Sequence, residues 1–285
     1  MSDERVTVVE VGPRDGLQNE AATVPAAEKV RFVELLADAG LPVVEVTSFV
    51  SPRAVPQLAD ADDVLPAVHR RDGVRYPVLV PNLRGLERAE AAGADAIAVF
   101  TAASEGFTRA NVNMTIAESL AAFAPVLERA LAAGMWTRGY VSTAFGCPYD
   151  GAVAPAAVAG VAAELAALGC DEISIGDTIG VARPEQVPGV IATVSEHVPV
   201  ERMALHLHDT GGRALANVAA GLEAGVRIFD SSAAGLGGCP FAPGAPGNVA
   251  TEALVRFLER EGLETGVDPD AVEHAGRAVR RLLAA

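Results

Sequence analysis

The sequence predicts an α/β fold, a (β/α)8 TIM barrel forming a single domain over residues 1–285 with an extra C-terminal helix. Three observations predict it. Short β-rich runs alternate with amphipathic helical stretches from end to end, a pattern that requires parallel strands joined by crossover helices. Eight such units fit within 285 residues, the usual size of a closed barrel. No G-x-G-x-x-G follows the first run, and doubly wound open sheets usually have fewer strands, which disfavours that alternative.

The eight β-rich runs are 5–11, 42–47, 76–81, 95–100, 136–143, 171–176, 203–208 and 226–231. Helical stretches follow each in turn near 26–39, 55–70, 84–92, 115–133, 155–168, 183–196, 213–224 and 248–261, with the extra helix near 269–283. Turn signals ("AAGAD", "ALGCDE", "EAGVR") sit just before strands, at the end of the barrel that serves folding. Polar and unusual residues cluster just after strands, at the end where barrel active sites lie. That segregation favours an enzyme over an inert scaffold.

Half of the residues are hydrophobic and 21% are charged, so a large core is expected and disorder is not. Basic residues number 22 against 37 acidic ones, a net charge of -15 that repels nucleic acid and anionic membranes. No uninterrupted run of about 18 apolar residues occurs, and the first residues are acidic where a secretory signal is basic. A cytoplasmic protein is expected. Cys147, Cys170 and Cys239 show no C-x-x-C pairing, which fits a reducing compartment rather than a disulfide scaffold. Lys29 is the only lysine and falls within a helix pattern, so Schiff-base and pyridoxal-phosphate chemistry lack a candidate residue.

The seventh run contains Leu205-His206-Leu207-His208-Asp209. Side chains alternate along a strand, so His206 and His208 share a face, about 7 Å apart, and can bind one metal ion. Two hydrogen-bonded core histidines are the plainer alternative. The first run ends in Gly12-Pro13-Arg14-Asp15-Gly16, where Asp15 can supply a hard anionic ligand to the same ion. Arg14, always protonated, can hold a substrate oxygen that gains charge, or can form a structural ion pair with Asp15. Glu45, within Val44-Glu45-Val46, is a carboxylate in an apolar strand and needs a partner; Arg14 is the obvious one. Asp177 ends the sixth run and has either a catalytic role or a capping role through Thr178. A glycine- and proline-rich stretch, 235–247, is expected to form a mobile loop over the barrel mouth, and Cys239 within it is badly placed for packing, which points to reactivity. Asn248 either caps the next helix or offers its amide oxygen as a fourth ligand. A mixed set of imidazole nitrogens and oxygens suits Mg2+, Mn2+ or Co2+ better than a closed zinc site.

These segments together resemble the 3-hydroxy-3-methylglutaryl-CoA lyase family: VEVGPRDGLQNE, EVTSFVSP, FGCPYDG, GDTIG, HLHDT and DSSAAGLGGCPFAPGAPGN. The similarity runs from Val9 to about Leu258, and GLGGCP is its most specific element. The resemblance implies a dimeric, metal-dependent barrel that cleaves its acyl-CoA substrate to acetyl-CoA and acetoacetate, a reaction of leucine catabolism. It also implies metal ligation by Asp15, His206, His208 and Asn248, with Arg14, Glu45, Asp177, His206 and Cys239 as catalytic positions. Two departures bear on the substrate. Gly211 stands where the family commonly has Tyr, which is expected to loosen the acyl pocket. Ala21 stands where Lys is common, removing a cation from the CoA side.

Two other classes compete. A Claisen-condensing synthase on the same barrel normally carries a further regulatory domain, for which little chain remains after the barrel. A non-catalytic metal- or acyl-CoA-binding barrel would bind metal without releasing acetyl-CoA from any thioester. A third reading keeps the lyase chemistry but moves it to a longer-branched 3-hydroxyglutaryl-CoA. In the lyase the hydroxyl proton passes to His206 or to a carboxylate among Asp15, Glu45 and Asp177, a choice the sequence leaves open, and Cys239 protonates the departing carbanion.

Overall fold

A computed structural model describes residues 5–237 and 247–284. Its strands are β1 (Thr7–Glu10), β2 (Val43–Val44), β3 (Thr47–Ser48), β4 (Val78–Leu79), β5 (Ala96–Ala102), β6 (Trp136–Ser142), β7 (Glu172–Asp177), β8 (Met203–Leu207) and β9 (Ile228–Ser231). All pair in parallel, in the order β2-β1-β9-β8-β7-β6-β5-β4-β3. The two ends of that order are halves of one run. Glu45 N–H donates to the Glu10 carbonyl on one side, while Val44 and Val46 donate to Arg75 and Pro77 on the other. The sheet therefore closes on itself as a barrel of eight staves, the architecture expected from the alternation.

The surrounding helices are α1 (Ala26–Asp38), α2 (Ala61–Ala67), α3 (Leu83–Ala91), α4 (Glu105–Val112), α5 (Ile116–Ala132), α6 (Pro155–Ala167), α7 (Val187–Ser195), α8 (Ala214–Glu223), α9 (Thr251–Arg260) and α10 (Pro269–Leu283). All nine expected stretches are found, most with shorter ends; the 55–70 stretch becomes a short 3-10 turn at Pro56–Leu58 followed by α2. The sequence reading did not anticipate α4. No helix among the described residues is long and apolar enough to cross a membrane.

The core follows the two faces of the staves. Outward-facing Val8, Val44, Val78, Ile97, Val141, Ile173, Leu205 and Phe229 are buried in one apolar cluster that runs from Val6 to Val279. Inside the barrel only small apolar groups remain, such as Val9 with Val11 and Val43, and Leu79 with Ala98 and Tyr140. The rest of the interior is polar: Arg138, Ser174, Glu45 and Asp230 are all buried. Such groups are tolerated only when paired, and here they form a connected layer described below.

The C-terminal helix does more than cover the barrel. Gly276 of α10 sits against the turn after β9, and a Cβ there would lie 2.8 Å from Ala234 Cβ and 3.0 Å from its backbone nitrogen. Arg280 also donates to the Ala234 carbonyl from Nε at 3.2 Å. In an open helix interior, replacing Gly with Ala stabilises by about 1 kcal/mol. Here the sign reverses: Gly276→Ala should lower stability by about 1–3 kcal/mol through overpacking. Urea denaturation checks this, and a gain in stability would show that α10 is not tightly seated on the turn.

Candidate active site

The polar layer converges on the C-terminal ends of the strands. The segment after β1 folds into a single wide turn, Gly12–Gly16, in which Asp15 and Gly16 both donate to the Val11 carbonyl. Turns of this type are uncommon and favour functional sites. This one presents Arg14 and Asp15 side by side, with Arg14 Nη1 2.7 Å from Asp15 Oδ1. Gln18 donates to the same oxygen at 2.8 Å. The other face of Arg14 is taken by Glu45: Nε donates to Oε2 at 2.8 Å, and Nη2 lies 2.7 Å away. The partner expected for Glu45 is the one found. Burial pushes the Glu45 carboxyl up in pKa and outweighs the pull of Arg14.

His206 lies within β8 and His208 just beyond it, on the same face as alternation requires. Their Nε2 atoms face each other at 3.2 Å. Asp15, His206 and His208 each offer a ligand atom, all within 4.8 Å of one another. Burial raises the Asp15 carboxyl, but Arg14 and the two histidines overcome it and bring the pKa down to about 2. Burial and the neighbouring His206 push His208 down to about 4, so its ring is neutral near pH 7. Burial lowers His206, but Asp230 and Asp15 outweigh it and raise that ring above its ordinary value, so ligation needs His206 to give up a proton that His208 already lacks.

Asn248 joins this group by backbone pairing rather than by capping. It forms an antiparallel bridge with His208, and α9 begins only at Thr251, so the N-cap reading does not hold. Its Nδ2 donates to Asp15 Oδ2 at 2.7 Å and to the Leu236 carbonyl at 3.1 Å. Asp177 lies outside the cluster's contacts. Its two oxygens accept from Val181 and Ala182 N–H at 2.9 and 3.0 Å, so it braces the loop after β7, and not through Thr178. Thr178 instead accepts from Thr143 N–H. Cys239 and most of the 235–247 stretch lie outside the described residues.

Three residues that sequence reasoning missed complete the arrangement. Asp230 of β9 accepts from Ser174 at 2.9 Å and pairs with His206 Nδ1 at 3.2 Å. Its other oxygen meets Arg138 Nη2 at 2.5 Å. Burial raises the Asp230 carboxyl, yet Arg138 prevails and holds it below the usual range. Tyr140 donates to Glu45 at 3.1 Å, and its ring lies between the guanidiniums of Arg14 and Arg138, at 5.3 and 4.8 Å. The signal was present: Arg138 and Asp230 are charges within β-runs, the same feature that drew attention to Glu45.

A cavity of about 610 Å³ opens over this centre. Arg14, Asp15, Tyr140, His206 and His208 form its floor, and Asn111, Met114 and Tyr149 lie among its outer lining. Its size is within the range of ligand sites. Gly211 and Ala21 do not line it; both are exposed, and Gly211 sits against Arg213. The expectation that Gly211 loosens an acyl pocket is therefore not carried by the geometry.

A parallel barrel with a polar centre at the strand C-termini defines a TIM-barrel enzyme as the class. Comparison with known proteins narrows it. The family model described as HMGL-like matches residues 5–279. A mitochondrial hydroxymethylglutaryl-CoA lyase from Mus musculus is 54% identical over 96% of this chain and 84% of its own length. The crystal structure of the HMG-CoA lyase from Brucella melitensis superposes with a TM-score of 0.97 at 52% identity, covering 99% of this chain and all of that one. An HMG-CoA lyase from Acinetobacter baumannii, solved with coenzyme A and 3-methylmalate, aligns with a TM-score of 0.94 at 39% identity, covering 100% of this chain and 93% of that one. The chain belongs to the HMGL-like family.

Burial pushes the Asp177 carboxyl up to about 6 against two backbone donors that pull it down. Between its ordinary value of 3.8 and about 6, the folded protein keeps a proton that the unfolded chain releases. That contribution to stability is complete below pH 3.8 and is lost as pH rises through 6. Relative to Asp177→Asn, the wild type should lose about 3 kcal/mol over this window. Denaturation midpoints across pH check it, and parallel curves would contradict the shift.

Proposed function

We propose that this protein is a divalent-metal-dependent carbon–carbon lyase that cleaves 3-hydroxy-3-methylglutaryl-CoA to acetyl-CoA and acetoacetate. The observation that carries the reading is the Asp15, His206, His208 cluster beside Arg14 on the floor of the cavity. Family membership and the lyase relatives support it. The coenzyme A in the A. baumannii lyase structure supports an acyl-CoA ligand here. The active unit is a single barrel domain over residues 1–285, acting as a homodimer. A cytoplasmic setting fits the free, buried thiols of Cys147 and Cys170; the mouse relative, by contrast, is named for the mitochondrion.

The residues present fit a divalent ion. One carboxylate and two imidazoles converge, and His206 has its second nitrogen fixed by Asp230, the arrangement that orients ligating histidines. Asp15, His206 and His208 would hold the ion, with Asn248 joining once its amide oxygen, rather than its nitrogen, faces Asp15. Such an ion, Mg2+ or Mn2+ with Co2+ also suited, supplies Lewis acidity toward the substrate's tertiary hydroxyl and the ketone that forms from it.

The chain's own groups do the rest. Asp177 spends both oxygens on backbone amides, and Glu45 is enclosed behind Arg14 and Tyr140. Of the four candidate acceptors, Asp15 and His206 line the cavity, and the hydroxyl proton passes to one of them. As the hydroxyl carbon becomes a ketone, the C–C bond breaks and its electrons move into the thioester fragment. Arg14, fixed by Glu45 and Asp15, faces the enolate oxygen of that fragment. Glu45 acts by holding the guanidinium. Cys239, a thiol in the GLGGCP motif, returns a proton to the enolate carbon and completes acetyl-CoA.

A coupled assay for acetyl-CoA tests the reading on 3-hydroxy-3-methylglutaryl-CoA and its longer-branched analogues. Release should occur, disappear after EDTA and return with Mn2+ or Mg2+. Metal-replete protein that binds coenzyme A yet releases acetyl-CoA from none of the panel would reject it. Arg14→Lys keeps the charge and loses the planar fork. It should lower kcat by about a hundredfold or more, with Mn2+ affinity within about threefold. Equal losses in both would assign Arg14 a structural role only.

A further inference from the structure

Glu10 has no part in the chemistry above and does not line the cavity, yet it is fully buried at the end of β1. Three segments donate to its carboxylate. Oε1 accepts from Gly12 N–H at 2.7 Å and from Ala233 N–H at 2.9 Å, and Oε2 accepts from the Thr251 hydroxyl at 2.7 Å. Gly12 opens the turn that carries Arg14 and Asp15. Ala233 opens the turn that leads to Leu236, whose carbonyl receives the Asn248 amide. Thr251 begins α9, three residues after Asn248.

The carboxylate sits hard against these segments. A Cβ on Gly12 would lie 2.6 Å from Glu10 Oε1 and 3.0 Å from Ser232 Oγ, so a side chain there would push the carboxylate off its donors. Burial pushes the Glu10 carboxyl up to about 7 despite its three donors, a measure of what it costs to keep the group there. A hydrophobic residue at this position would avoid that cost, but would leave two backbone N–H groups without acceptors.

We infer that Glu10 is a positioning residue whose carboxyl group ties together the loops carrying Asp15 and Asn248, and so sets where the oxygen side of the ion site lies. His206 does not depend on it, because β8 and Asp230 place that ring. The inference rests on the reading of Asp15, His206, His208 and Asn248 as an ion site.

The test is Mn2+ binding to metal-free protein, followed by the electron paramagnetic resonance of free Mn2+, for the wild type, Glu10→Ala, Glu10→Gln and Thr251→Val. Circular dichroism identifies the variants that fold. Glu10→Ala should bind Mn2+ about tenfold more weakly or worse, the usual loss when support behind a ligand is removed. Glu10→Gln should stay within about threefold, since its amide oxygen still accepts from both N–H groups and its nitrogen can donate to Thr251. Thr251→Val, which loses one of the three bonds, should weaken binding by about threefold, and it carries the test if Glu10→Ala does not fold. Folded Glu10→Ala or Thr251→Val with unchanged Mn2+ affinity would overturn the inference, as would Glu10→Gln binding as weakly as Glu10→Ala. Wild-type protein that binds no Mn2+ would overturn the ion-site reading itself, and the inference with it.

Discussion

Arg138 places a guanidinium in the middle of the barrel with no access to water. Stripping such a charge of its hydration costs several kcal/mol, and only close, well-directed partners offset it. Asp230 lies at 2.5 Å, Glu172 at 2.7 Å, and the Tyr140 ring and hydroxyl close the remaining side. Asp230 is thereby fixed, and its second oxygen fixes His206 through Nδ1. With that nitrogen held, Nε2 has one direction left, and it meets Nε2 of His208. The same logic repeats one step nearer the mouth. Glu45 and Asp15 flank Arg14, and Tyr140 bridges the two levels by donating to Glu45. Removing one member leaves an uncompensated buried charge, a change that costs about 3–5 kcal/mol in comparable pairs.

The site divides between rigid and adjustable parts. His206 comes from a strand paired on both sides, and His208 follows just beyond it, bridged to Asn248. Asp15 and Asn248 come from loops, and the loop of Asn248 is held by backbone pairing. Asn248 bridges His208, Val249 donates to the Leu207 carbonyl, and Ser232 donates to the Val249 carbonyl. The segment 247–251 thus behaves as a short extra strand at the mouth. Sites supported in this way keep their geometry better than sites on free loops.

Much of this was legible in the sequence because it follows from local rules. Strand–helix alternation foretold the closed barrel, and period-two alternation put His206 and His208 on one face. The demand that a buried carboxylate find a partner joined Glu45 to Arg14. What escaped was long-range. Asn248 reads equally as a helix cap or as a ligand from its place before a helical stretch; its pairing with His208, forty residues away in sequence, is what separates the two. Asp177 reads as catalytic or capping by its position at a strand end, and the amides that its carboxylate meets, Val181 and Ala182, follow from no local rule. Arg138 and Asp230 lie on strands with two others between them in the chain, and no sequence period relates them. α4 was invisible because Glu105–Val112 is only 8 residues long, about two turns, too short for a helical period to establish itself.

The account's central claim is that the buried charge layer turns two imidazoles from one strand onto a single ion. Electron–nuclear double resonance of the Mn2+-loaded protein measures it most directly, because directly bonded imidazole nitrogens couple to the electron spin of the ion. The account predicts 14N couplings from two histidines in the wild type, reduced to one when either His206 or His208 is replaced by alanine. A spectrum without directly bonded nitrogen, or one unchanged by those replacements, would contradict it.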